Sequence, residues 1–299
     1  MRVIIVVVVL LLALASPAAA TPDTTIMLPG AVSAEGITAG GGTTFYAGDV
    51  LGGDLFRGDV RRGRAELFID VPTGTESVGM DLDARHDLLF VAGGPVYHGG
   101  PGRAYVYSTR TRALVASYDF GTPSLVNGVT VTPEGAWFTD SYQPKLYFVP
   151  VRHGVPGPAR TLTLTGPAAG TPGEFYVNDI TSTPSGRTLL VAPAGMLCTV
   201  DPVTGASRQV KGVDVAGADG LVLEGRRLWA VQFDDKVSRW RLSDDLTSGT
   251  ADEVIKDPRF HAPLTAAKFG DRLAVVNSHL DTGDFPPTSP TYEVIVVHA

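Results

Sequence analysis

A single cysteine, Cys198, stands among 299 residues, so no intramolecular disulfide can form and a small disulfide-stapled scaffold is excluded. Charged residues are scarce, at 18%, and apolar ones plentiful, at 44%, which rules out a disordered chain. The net charge is −7 and there is no Lys/Arg run, which argues against nucleic acid as the main partner. The six histidines, at positions 86, 98, 153, 261, 279 and 298, form no H-x-x-x-H or H-x-H pair, so a zinc site is not expected. A G-x-S-x-G elbow, a Walker loop and a Rossmann fingerprint are all missing. Helical periodicity of useful length is missing too, and no linker divides the chain. What is abundant is turn chemistry: 35 Gly and 22 Pro are spread along the whole length, as a protein of many short strands requires.

The longest apolar run, Val3 to Ala15, is too short to span a bilayer, which needs roughly 20 residues. It follows Arg2, is closed by Pro17 and leads into Ala18-Ala19-Ala20. That pattern predicts a Sec signal peptide over residues 1–20, cleaved near Thr21. The expected product is a secreted or periplasmic protein without a stable membrane anchor. Cys198 lies in Met196-Leu197-Cys198-Thr199-Val200, which predicts a buried strand thiol rather than a nucleophile.

Six short apolar runs recur: Thr44 to Ala47, Leu88 to Val91, Ala136 to Thr139, Thr188 to Val191, Leu228 to Val231 and Leu273 to Val276. Eight to ten residues before each lies the start of another strand, led by Glu35, Gly79, Asn127, Asn178, Asp219 and Thr265. These leading residues are 41 to 51 positions apart, with a mean of 46. Such a period predicts an all-β fold, a six-bladed β-propeller of four-stranded antiparallel blades over residues 21–299. The last unit is one strand short, and Thr24 to Leu28 is available to complete it and close the ring.

In a propeller the first strand of each blade lines a central channel, so the blade starts are where a site would be built. Glu35, Asn127, Asn178 and Asp219 offer side-chain oxygens, the hard donors that calcium prefers. Taken singly, Asn127-Gly128 and Asp219-Gly220 are common turn dipeptides and Asn178-Asp179 could be a polar loop. Recurrence at one place in the repeat favours a shared metal site. Asp81-Leu82-Asp83 begins like an EF-hand loop but has no Gly and no terminal Glu at the required distances, and reads as a surface turn. Tyr97-His98 and Asp140-Ser141-Tyr142 follow second-strand runs and could edge the channel mouth.

Ala34-Glu35-Gly36-Ile37, Val126-Asn127-Gly128-Val129 with Phe138-Thr139-Asp140, Val177-Asn178-Asp179-Ile180 and Ala218-Asp219-Gly220-Leu221 with Leu228-Trp229 resemble motifs of the senescence-marker/gluconolactonase, regucalcin-like family. The resemblance implies a divalent ion, usually calcium, held in the channel by Glu35, Asn178 and Asp219, with Asn127 near ion or substrate, and a hydrolase of lactones or related esters. It makes Asp219 the base or nucleophile; Asn127, and Tyr142 from its place after a second strand, are the expected substrate contacts. Sugar-lactonase members often carry Arg two residues before that Asn and Asp directly after it. Leu125 and Gly128 stand there instead, which points to a more apolar small-molecule substrate. A non-catalytic ligand- or protein-binding propeller and a strictosidine-synthase-like enzyme are the alternatives.

Overall fold

The apolar runs are unbroken because they are second strands buried on both faces. Leu89 and Val91 pack with Leu55 and Phe68 of the preceding sheet, while Leu88, Phe90 and Ala92 pack with Val129, Ala136 and Phe138 of the next. Side chains alternate along a strand, so a strand sandwiched between two sheets is apolar on both faces except where a polar group finds hydrogen-bond partners, as Thr139 and Asp140 do.

The computed structural model describes residues 24–72, 74–95, 97, 99–283, 287 and 289–299. The expected leader, residues 1–20, and His98 lie outside them. Among the described residues there is no α-helix, and 3-10 turns such as Gly166–Ala168 and Leu280–Thr282 are short.

The strands form six antiparallel sheets. From the channel outward, blade one is Ala34–Ala39, Thr44–Asp49, Leu55–Asp59 and Arg64–Ile69, and blade two is Ser77–Asp83, Leu88–Gly93, Arg103–Ser108 and Leu114–Asp119. Blade three is Val126–Thr132, Gly135–Asp140, Lys145–Arg152 and an outer strand split into Val155–Pro156 and Arg160–Thr163. Pro156 and Pro158 cause the split, since neither can donate to a ladder. Blade four is Val177–Ser182, Leu189–Pro193, Met196–Val200 and Ser207–Asp214, and blade five is Ala218–Glu224, Arg227–Gln232, Lys236–Leu242 and Gly249–Ile255. Blade six is Pro263–Phe269, Arg272–Asn277, Tyr292–His298 and, from the start of the chain, Thr25–Leu28.

The first strands contact one another in succession and the sixth returns to the first, so this is the six-bladed propeller that the 46-residue period predicts. Closure is as expected from the short last unit: Thr25 pairs with Ile295, Ile26 with Val294, Met27 with Glu293 and Leu28 with Tyr292. Each hydrophobic cluster lies between two neighbouring blades, with Ile26 and Leu28 buried between blades six and one. Cys198 is buried as read, and burial pushes its thiol up to about 11, far from nucleophilic.

Candidate functional site

Each first strand opens with the same irregularity. One extra residue is inserted against the second strand between Ala34 and Ile37, Ser77 and Met80, Val126 and Val129, Val177 and Ile180, Ala218 and Gly220, and Pro263 and Ala266. A bulge of this kind re-aims side chains, and repeated around the ring it sets six residues at one level. Pairing registers make them Glu35, Val78, Asn127, Asn178, Asp219 and Leu264. Two blades therefore correct the sequence alignment by one position: Val78 and Leu264, not Gly79 and Thr265, match Glu35.

Gly79 and Thr265 have another task. Gly79 matches Gly36, and both sit where adjacent first strands touch. A Cβ at Gly36 would collide with the carbonyl oxygen of Val78, and one at Gly79 with that of Asn127. Thr265 fills the same position in blade six and its hydroxyl donates to the Glu35 carbonyl. The blades thus meet backbone to backbone just below the polar level.

Above that constriction the predicted residues converge. Asn127 Nδ2 donates to Ser141 Oγ at 3.1 Å and to Asn178 Oδ1 at 3.5 Å, while Asn178 Nδ2 donates to the Ala218 carbonyl at 3.1 Å. Ser141 Oγ in turn donates to the Val177 carbonyl, and Thr139 Oγ1 to that of Asn178, both at 2.6 Å. Glu35 is buried, and its carboxyl is held well above the usual range by that burial and then by the charges of Asp219, Asp179 and Glu76. Asp219 is raised to about 7 by burial, and its Oδ2 is buried with no hydrogen-bond partner.

Several members were not legible in the sequence. Glu76, fully buried, brings an acid from the loop before blade two's first strand and accepts from the Tyr97 amide at 2.8 Å. Asp179, at the strand start that Asn178 leads and not itself read as a site residue, lies within the first strand of blade four. Burial and the charges of Asp219 and Asp81 lift it to about 8, against the pull of the Leu221 and Ile180 amides. Asp81-Leu82-Asp83 is no surface turn: it ends the first strand of blade two. There Asp81 accepts from Thr38 Oγ1, the Val131 amide and the Leu82 amide at 3.0, 2.7 and 2.8 Å, tying three blades together. Below the constriction the strands line a cavity of about 260 Å³ that includes Thr38, Asp81, Thr130, Asp179, Thr181 and Lys268.

At the upper mouth, burial and the nearby Glu35, Glu76, Asp219 and Tyr142 raise the Tyr97 phenol. Tyr97 is therefore near both Tyr142 and the acids. Tyr142 also meets Phe175 edge to face, with ring centroids 6.1 Å apart. The Tyr142 amide donates to Asp140 Oδ1 at 3.0 Å, and Asp140 Oδ2 accepts from Ser124 Oγ and the Tyr147 hydroxyl at 2.8 and 2.7 Å. Asp140 thus holds the backbone that carries Tyr142. Asp49 and Asn277 end the corresponding second strands and accept from the amides of Val32 and His261 in the loops entering their own blades, while Gln232 Nε2 donates to the Ala216 carbonyl of its loop.

Burial is the leading cause of the raised values at Glu35, Asp179 and Asp219, with neighbouring acids adding to it at Glu35 and Asp179, which sets the sign of a pH effect. Unfolded, such acids titrate near pH 4; folded, Asp219 and Asp179 hold their protons up to about 7 and 8. Between these limits the folded state binds more protons than the unfolded one, so stability is greatest at low pH and falls as pH rises through 7 to 8. Groups with lowered values, such as Asp257, act below this window. In chelator, the Tm should therefore drop between pH 5 and pH 8; a flat or rising Tm would contradict this electrostatic picture.

No family model matches the sequence, and no curated protein does. Solved structures do. The major allergen Mala s 1 of Malassezia sympodialis is similar at TM-score 0.68 with 14% identity, covering 93% of this chain and 97% of its own. Virginiamycin B lyase from Staphylococcus aureus gives 0.59 and 15%, covering 86% and 82%. The β-propeller domain of Cps50 (Swd1) from Myceliophteria thermophila gives 0.62 and 13%, covering 92% and 100%. At such identities the likeness is one of fold, and propellers with quite different roles share it.

Proposed function

We propose that the protein is a secreted, metal-dependent hydrolase of lactones or related esters, with a divalent cation, calcium by preference, held by Glu35, Asn178 and Asp219 beside Asn127. The observation that carries this reading is the buried, unpartnered Oδ2 of Asp219 close to the further acids Glu35, Asp179 and Glu76. Buried carboxylates that lack partners are costly, and a hard dication with all-oxygen ligands is the group that satisfies such a set. Both amide nitrogens are used internally, so oxygen is what Asn127 and Asn178 offer.

Bound there, the ion supplies Lewis-acid polarisation of a carbonyl oxygen. The remaining work falls to side chains. Asp219 orients a water and takes its proton as the oxygen attacks the acyl carbon. The ring or ester C–O bond then breaks, and the same proton passes to the leaving alkoxide. Asn127, fixed by Ser141, and Tyr142, fixed through Asp140, position the substrate. Tyr97, Tyr142 and Phe175 make the mouth aromatic, and with Leu125 and Gly128 in place of charged residues this favours an apolar acyl group or lactone over a sugar acid.

Screening lactones, aryl esters and phosphotriesters with the mature protein, before and after chelation, tests the reading. Activity lost in chelator and recovered with calcium supports it; calorimetry showing no calcium binding sinks it. Glu35→Gln should weaken calcium binding while leaving kcat at saturating calcium within a few-fold, because Glu35 holds the ion and does not transfer the proton. An equal loss of kcat at saturation would move Glu35 into the chemistry. The non-catalytic alternative, favoured by an 820 Å³ groove between blades three and four lined by Trp137, Phe148, Arg160 and Val203, predicts that calcium changes stability only.

A further inference from the structure

Blade six gathers a second set of titratable side chains on the same edge as the blade starts. His261 lies in the loop entering its first strand, His279 and Asp281 follow its second strand, and Glu293 is in its third. His261 Nδ1 is 3.1 Å from Asp281 Oδ2. His279 Nε2 is 3.1 and 3.3 Å from the two oxygens of Glu293. The imidazole rings stack with centroids 5.2 Å apart and planes within 15°. One ligand atom from each of His261, His279 and Asp281 lies within 4.8 Å of the others.

The surroundings hold this arrangement. Buried Asn277 donates to Glu293 Oε1 at 2.6 Å and to the Arg259 carbonyl at 2.8 Å, and accepts from the His261 amide at 3.0 Å. The Arg259 guanidinium is held on Asp257 at 2.6 and 2.7 Å. His279 has a left-handed backbone, φ 59°, a conformation His tolerates better than most residues. Ser278 Oγ anchors its loop to the Ala262 carbonyl at 2.7 Å.

We propose that His261, His279 and Asp281 form a site for a divalent transition ion of the zinc type, with Glu293 as the carboxylate that orients His279. Two imidazoles and a carboxylate suit zinc, copper or nickel and not calcium. Ligand atoms around tetrahedral zinc lie roughly 3.3 Å apart, so the set closes when one imidazole turns out of the stack and both ring planes meet at the ion. A carboxylate behind a ligating His is the usual second partner of such sites. Three protein ligands, two of them exposed, leave a coordination position open to water or ligand. The expectation of no zinc site rested on local spacing; with Glu293 this set spans 33 residues of sequence and is assembled by the blade.

Titration of the calcium-saturated full chain with zinc chloride, followed by calorimetry, tests the proposal. One equivalent should bind without displacing calcium, and cobalt in its place should give ligand-field absorption of a nitrogen-containing site. His261→Gln and Asp281→Asn should each weaken zinc binding at least 10-fold, and Glu293→Gln about 10- to 100-fold, while Asp219→Asn should leave it unchanged. No stoichiometric zinc binding, unchanged affinity in His261→Gln, or loss of zinc in Asp219→Asn would each overturn it. If Glu293→Gln fails to fold, the two exposed-residue variants and the cobalt spectrum decide the matter.

Discussion

Asp219→Asn should lower kcat on the best lactone or ester by roughly 100-fold or more, the scale of general-base loss, equivalent to about 2.7 kcal/mol of barrier. The amide keeps the size of the side chain and one oxygen that can ligate, but not the basicity. Calcium should therefore still bind, more weakly, and the defect should persist at saturating calcium. Calorimetry and saturation kinetics on the same preparation separate the two effects. Full activity of Asp219→Asn under those conditions would remove Asp219 from the proton-transfer role, even if calcium binds as proposed.

Deleting Thr24 to Leu28 should destabilise the entire propeller and not blade six alone. The strand buries Ile26 and Leu28 between blades six and one, worth roughly 1.5–3 kcal/mol each, and supplies the ladder along Tyr292–His298. Domains of this kind have only about 5–15 kcal/mol in hand. The truncation also leaves an open sheet edge, which invites association. Ile26→Ala is the milder companion, with an expected loss of about 2–5 kcal/mol. A truncated protein with an unchanged denaturant midpoint would mean that the ring does not depend on this closure.

The fold was legible because its repeat is written in residues that packing constrains from both sides. Second strands such as Leu88 to Val91 and Leu273 to Val276 are apolar throughout, and turns such as Asp201 to Gly205 carry their own chemistry, with Asp201 Oδ1 accepting from the Val203 amide at 2.7 Å and Gly205 at φ +74°. Glu35, Asn127, Asn178 and Asp219 were legible for a related reason, since a bulge repeats at the same place in each blade. The one-residue misalignment of Gly79 and Thr265 arose because the demand for Gly comes from the backbone approach of neighbouring blades, a partner that the local sequence does not name. Glu76 was hidden by lying outside the repeat position, and Asp81 and Asp179 by needing amides from other blades. The His261 and His279 pair had no local spacing at all.

The pairing of Thr25 with Ile295 also orders events in time. A contact between residues so far apart in the chain is among the slowest to form, because the entropy of closing the intervening loop must be overcome first. Blades one to five can each be completed from local hairpins as the chain emerges, whereas blade six waits for its last residues to meet its first. Glu35 belongs to blade one and Asp219 to blade five, so these two acids face each other only when the ring shuts. The proposed ion site would thereby be a product of the final folding step: a partly folded chain would lack it, and a bound ion would act as a latch on completed molecules alone.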